Sequence, residues 1–278
     1  MKFRSLAAFP LVFAVVFAIA ALLAGADGFG PVLATENEVG KVLALVGCFA
    51  AALAFEEGDY LRRAWFYSGL CYLLLLVGDV AGMPLVATHL FSAHQVKLAE
   101  GTFAVLGNAT SVVGTWMLAY AWSVAGLEDD DDDGASRTRG RLLFAGVLVA
   151  SLAITGWPLV HDAGALFAGD MGAAVNVASD LGDTICLALV APVMRTALAL
   201  RGGTLRWPWG LLTSSGIAWL AYDAASGAVE LLHVQEARWL IVTEALRGLA
   251  CAAFFSAGMA QRVAVTPVAR ESVPPPAA

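Results

Sequence analysis

The sequence predicts an all-α fold: a polytopic membrane bundle of eight transmembrane helices, built as a tandem duplication of a four-helix unit. Three observations predict it. Of 278 residues, 59% are hydrophobic and only 14% charged, with a mean hydropathy of +0.75. A soluble domain carries about 25% charged residues and has no core able to hide this much apolar surface. Apolar runs of roughly 18–25 residues recur along the whole chain, each long enough to cross a bilayer as a helix. The third observation is a shift of 144 residues, Gly58 onto Gly202, that lays the second half on the first.

The expected spans follow in order. Residues 5–24 come after a basic start, "MKFRS". Ala24-Gly25-Ala26 could serve a signal peptidase, but the apolar stretch exceeds the roughly 7–15 residues of a signal peptide. The second half also opens with an equivalent span, "RLLFAGVLVASLAITGWPLV", so the first span is expected to be retained. Spans 38–55, 63–83 and 99–123 complete a first unit over residues 1–126. Residues 127–140 form an acidic cytoplasmic linker; its run Asp129–Asp133 lacks the Gly turn and terminal Glu of a calcium loop and reads as a solvated connection. Spans 141–160, 177–200, 207–228 and 238–261 make a second unit over 141–264. The tail 265–278 is Pro-rich and expected to be disordered. Turn signals such as "GADGFG", "EEGDYLRR" and "LRGGTLRWPWG" separate the spans.

Basic residues orient the bundle. With the N-terminus inside, the inner segments hold Lys2, Arg4, Arg62, Arg63, Arg137, Arg139, Arg141, Arg201, Arg206, Arg262 and Arg270. The outer segments hold Lys41, Lys97 and Arg238. That asymmetry places both termini in the cytoplasm, in a plasma (bacterial inner) membrane. Trp65 and Trp209, beside Arg62 and Arg206, are expected as anchors at the inner interface.

The duplication is carried by rare residues. The shift aligns Trp65 with Trp209, Asp79 with Asp223, His89 with His233, Glu100 with Glu244 and Gly114 with Gly258, without a gap. Upstream, after a two-residue gap, "ENEVGKVLALVG" meets "ASDLGDTICLAL", setting Glu38 on Asp180 and Lys41 on Asp183. Four spans per unit give both units the same orientation, so the expected relation is a pseudo-two-fold axis along the membrane normal, as in parallel repeats.

Each half therefore carries Asp, nine residues, His, ten residues, Glu, near the outer ends of its last two spans. A buried Asp at the C-terminal end of a helix opposes the macrodipole and is costly in a bilayer, so it needs a partner. Glu244 and Arg247 are three apart and can pair, as are Asp180 and Asp183 on one face. The candidate ligand-binding set is Asp79, Asp223, Glu100, Glu244, His89, His233, Arg247, Asp180 and Asp183. Two readings stand: an outward-facing polar cavity between the repeats that binds or transports a cation, proton or small polar solute, or a network of ion pairs that fixes packing. A metal is a narrower version of the first.

"GLCYLLLLVGDV" resembles, over a dozen residues, the helix-end Gly-Asp segment of the lysoplasmalogenase-like family. That resemblance implies a membrane hydrolase of lipid head groups, with Asp79 and the Asp223 of "LAYD" as its acids; the family's following His segment is not recognisable here. "LGDTICLALVAPVMRTALAL" resembles the membrane sensor modules of bacterial histidine kinases, which implies a non-catalytic sensor or scaffold subunit.

The four cysteines, Cys48, Cys71, Cys186 and Cys251, fall inside spans with no metal or disulfide spacing and read as buried thiols. No basic patch suggests nucleic acid, and no P-loop, GxSxG, HExxH or dinucleotide fingerprint is present. The expected partners are the lipid bilayer, a small cation or polar solute, and a membrane protein or second copy of the chain. The sequence points to no particular cofactor.

Overall fold

A computed structural model describes residues 3–82, 93–124, 134–170, 173–200, 203–232 and 237–266. His89, His233, the run Asp129–Asp133 and most of the tail lie outside these residues. The described chain is helical, with no strand: α1 (Phe3–Ala52), α2 (Tyr60–Gly82), α3 (Ala93–Val124), α4 (Gly134–Phe167), α5 (Ala173–Ala188), α6 (Val190–Ala199), α7 (Arg206–Leu231) and α8 (Ala237–Val265).

A straight helix of the 50 residues in α1 would be about 75 Å long, more than twice the ~30 Å of a hydrocarbon core. It is not straight. Gly25 sits at φ 70°, ψ −171°, outside helical space, and a side chain at that φ would be strained. The two limbs fold back on each other, as α8 reveals. Ile241 of α8 clusters with both Ala21 and Leu33. Further along α8, Phe255 meets Phe9 at 5.4 Å between ring centroids, and Gly258 lies against Gly47. Moving down α8, the first limb is met in falling residue number and the second in rising number. The limbs are antiparallel, and the second runs parallel to α8.

Six segments are long and apolar enough to cross a membrane: Phe3–Gly25, Tyr60–Gly82, Leu98–Ala121, Arg141–Phe167, Ala173–Leu198 and Arg238–Val265. The fifth joins α5 and α6 through a break at Leu189. The second limb of α1 is richer in charge (Glu36, Glu38, Lys41), and α7 carries hydroxyls and Asp223; neither belongs to the apolar set. Apolar side chains also face outward, as a lipid-embedded protein requires. Leu23 is 82% exposed and Phe167 90%, with Leu22, Trp157 and Val160 close behind. Membrane embedding follows from these lengths and this inside-out surface.

Helix packing relies on small residues. Lipid tails are as apolar as leucine, so helices in a bilayer associate by close van der Waals contact and hydrogen bonding. Ala44, Cys48 and Ala51 of α1 and Cys251, Ala257 and Ala260 of α8 are buried together in the main core. At Gly47 and Gly258 the two backbones touch: a Cβ on Gly258 would overlap the Gly47 carbonyl. The α1–α8 seam is the largest in the molecule. Trp65 and Trp209 are buried in this core, Trp65 edge-on to Phe254 at 5.8 Å, and do not stand at an exposed interface as expected. An indole among small residues fills the space that alanines leave.

The α3–α5 seam is built like the α1–α8 seam. Gly40 of α1 packs on Cys251 of α8, and Gly182 of α5 packs on Asn108 of α3. Both pairs of helices run parallel: Val175 of α5 meets Gly101 of α3, and Cys186 meets Ser111. The α2–α3 and α7–α8 seams are both antiparallel. Gly78 faces Phe103 in the first, and Tyr222 faces Arg247 in the second.

Candidate functional site

Six helices line a cavity of ≈160 Å³. This is well above the roughly 10–15 Å³ that admits one water, a space for a small solute. Its wall is α2 (Ser68, Cys71, Tyr72, Leu75), α3 (Asn108, Ser111, Thr115), α5 and α6 (Asp183, Cys186, Val190), α7 (Ser215, Trp219, Asp223) and Phe254 of α8. Along α7 the lining runs from Leu212 to Asp223, about 16 Å at 1.5 Å per residue, or half the thickness of a hydrocarbon core. Helical periodicity accounts for the wall. Positions 212, 215, 216, 219 and 223 of α7 share one face, as do 68, 71, 72 and 75 of α2.

Two of the wall's hydroxyls are left as acceptors. Ser68 donates its hydroxyl proton to the Ala64 carbonyl at 3.0 Å and Ser215 to Ala250 at 2.8 Å, which leaves their oxygen lone pairs to accept. Asn108 spends an amide proton on Ser179 at 2.9 Å and keeps its carbonyl. At one end stand Asp183 and Asp223, with Asp180 close enough for its charge to act on Asp223. Asp183 is accessible and Asp223 half-buried, and neither forms an ion pair with a described residue. Tyr72, Trp219 and Phe254 add aromatic faces, with Tyr72 and Phe254 5.7 Å apart. Carboxylates at one end and aromatic faces beside them favour a cation with an apolar body. Among the described residues, no group of three or more His, Cys, Asp or Glu is arranged to hold a metal ion.

The other charged side chains gather on α1, α2 and α8. Lys41 lies between two carboxylates, donating to Glu38 at 2.9 Å and to Asp79. The Lys41 side chain is only 12% exposed, so this ammonium is held inside the protein. On α8, Arg247 pairs with Glu244 one turn away and lies over the Tyr222 ring, 5.7 Å from its centroid. Charges on Glu244 and Lys41 act on each other, which joins the two pairs into one group.

The structure thus places the seven described candidate residues in different surroundings. Asp180, Asp183 and Asp223 belong to the cavity end; Asp79, Glu244 and Arg247 belong to the α1–α2–α8 group. Asp79 is bound by Lys41 of α1, whereas Asp223 lines the cavity with Asp183 of α5. Glu100 is exposed at the start of α3 and lies beside Gly82. His89 and His233 fall outside the described residues. The four thiols are free; Cys48, Cys71 and Cys251 are buried, and Cys186 is half-buried beside Ser111 at 3.5 Å.

Sequence reasoning missed the hydroxyls of the cavity wall, which look like ordinary small residues in an apolar span. It also missed Glu36, the largest buried acid. A signal for Glu36 exists. In the offset alignment it meets Ala178, just as Arg247 meets Phe103. Two opposite charges that both break the repeat are candidates to lie together, and here they do. Comparison of the chain with family models, with curated proteins and with solved structures finds no match to any of them, so the geometry carries the functional reading.

Proposed function

We propose that this is an eight-pass protein of the plasma membrane, with both termini cytoplasmic, that binds and carries a small cation through the cavity ended by Asp183 and Asp223. The duplication supports the count and the arrangement. The paired seams described above correspond under the 144-residue shift, or 142 upstream of the two-residue gap: Tyr222 and Arg247 map onto Gly78 and Phe103, Ser215 and Ala250 onto Cys71 and Leu106. Gly40 and Cys251 map onto Gly182 and the neighbour of Asn108.

One observation carries the functional reading. The offset alignment sets Asp79 on Asp223; Asp79 is bound by Lys41, while Asp223 shares the cavity wall with Asp183, whose charge acts on it. Where one half supplies its own ammonium, the other presents a second acid toward a cavity. Two carboxylates whose charges act on each other in one cavity wall call for a positive charge. Lys41 illustrates its chemistry: a primary ammonium on an aliphatic stem. The hydrolase reading draws nothing from this geometry, since Asp79 and Asp223 lie on separate groups.

The test is binding and flux of methylammonium by the full chain in proteoliposomes. Asp183→Asn and Asp223→Asn are expected to lower affinity by tenfold or more, whereas Asp79→Asn, whose charge Lys41 already occupies, leaves it within about twofold. Uptake unchanged in the first two variants removes the proposal.

A further inference from the structure

Glu36 is 1% exposed, and neither carboxyl oxygen has a hydrogen-bond partner among the described residues. It sits at a close contact. Its Oε1 lies over Gly248 of α8, so tightly that a Cβ there would overlap it. The neighbouring Arg247 is committed through Nη2 to Glu244, while its own Nε is buried without a partner. Both Arg247 and Glu244 are near enough for their charges to act on Glu36. The remaining titratable groups around Glu36 are Cys251 on α8, Glu38 and Lys41 on its own helix, and Asp79 on α2, which Lys41 holds.

An ionised carboxylate with both oxygens buried and unpaired is among the costliest arrangements a protein can contain. Two remedies are open: a proton on the carboxyl, or a cation moved to it. Lys41 is held between Glu38 and Asp79, whereas the charge of Arg247 acts on Glu36 and its Nε is a donor to spare. We infer that Glu36 is a proton-binding site that competes with Glu244 for Arg247. With the proton on Glu36, Arg247 stays with Glu244 and over Tyr222. When the proton leaves, Arg247 turns its guanidinium to Glu36 and releases Glu244. Loss of the proton takes the three groups from net zero to one negative charge, and that charge comes to rest on Glu244, whose side chain is 18% exposed against 1% for Glu36. Tyr222 neighbours Asp223 in sequence, so movement of Arg247 reaches the end of α7 that lines the cavity. The site stands without the cation proposal, since none of its geometry uses the cavity.

Infrared spectroscopy of the full chain in lipid tests it through the C=O stretch of a protonated carboxylic acid. At neutral pH the wild-type band is expected, and Glu36→Gln, isosteric with the protonated acid, removes it while leaving the unfolding temperature nearly unchanged. Gly248→Ala, which crowds Oε1, shifts the band and serves if the glutamine variant does not fold. Glu244→Gln frees Arg247 for Glu36 and is expected to abolish the band although Glu36 is intact. A band that survives Glu36→Gln, or is absent from the wild type, overturns the proton site. A band that survives Glu244→Gln overturns the exchange.

Discussion

Asp183→Lys converts the second half of the molecule to the chemistry of the first. The substituted ammonium would lie beside Asp223 as Lys41 lies beside Asp79. At ~5 Å and an effective dielectric constant of ~20, two unit charges interact by about 3 kcal/mol. Exchanging repulsion for attraction is therefore a swing of about 6 kcal/mol at most. Desolvating the new ammonium removes several kcal/mol of that. A net stabilisation of about 1–3 kcal/mol remains. At ~2–4 °C per kcal/mol for chains of comparable size, the unfolding temperature rises by several degrees. The ≈160 Å³ cavity has room for the longer stem. Methylammonium binding, followed by calorimetry on the purified chain in detergent, is lost in the same variant. Gain of stability with loss of binding is the opposite of generic damage, which lowers both. A variant that melts earlier than the wild type, or that still binds methylammonium, shows that Asp183 and Asp223 do not form a cation site.

Two further outcomes test the architecture. Gly258→Ala places a methyl group against the Gly47 backbone, and overpacking of this kind costs about 1–3 kcal/mol. The melting temperature in detergent should fall, while Gly146→Ala, whose Cβ meets nothing within 4 Å, leaves it unchanged. Equal melting of the two variants would mean that the α1–α8 contact is not close. Reporter fusions at the two ends should both register as cytoplasmic, as an even number of crossings with Lys and Arg inside demands. Ends on opposite sides would break both the eight-pass count and the parallel repeat.

Membrane class was legible because it depends on composition summed over long windows, and a lipid environment rewards apolar length whatever the partner helices do. The Glu244–Arg247 pair was legible for a local reason: residues three apart share a helix face. Other features had no local signature. The break at Gly25 lies in a segment with a turn signal, yet only packing against α8 shows the limbs to be antiparallel. The hydroxyls of Ser68, Ser111 and Ser215 become a cavity wall because α2, α3 and α7 each turn one face toward the same space.

The sequence by itself determined the kind of solvent this chain lives in and the local pairing of Glu244 with Arg247. Periodicity and hydropathy act within one helix, so they are written along the chain. Only the tertiary structure decided which charges neutralise one another: Lys41 takes Asp79, Arg247 takes Glu244, and Asp183 is left facing Asp223. Electrostatic partnership in a low-dielectric interior depends on separations of a few ångströms between helices, and those distances exist only after the helices have packed.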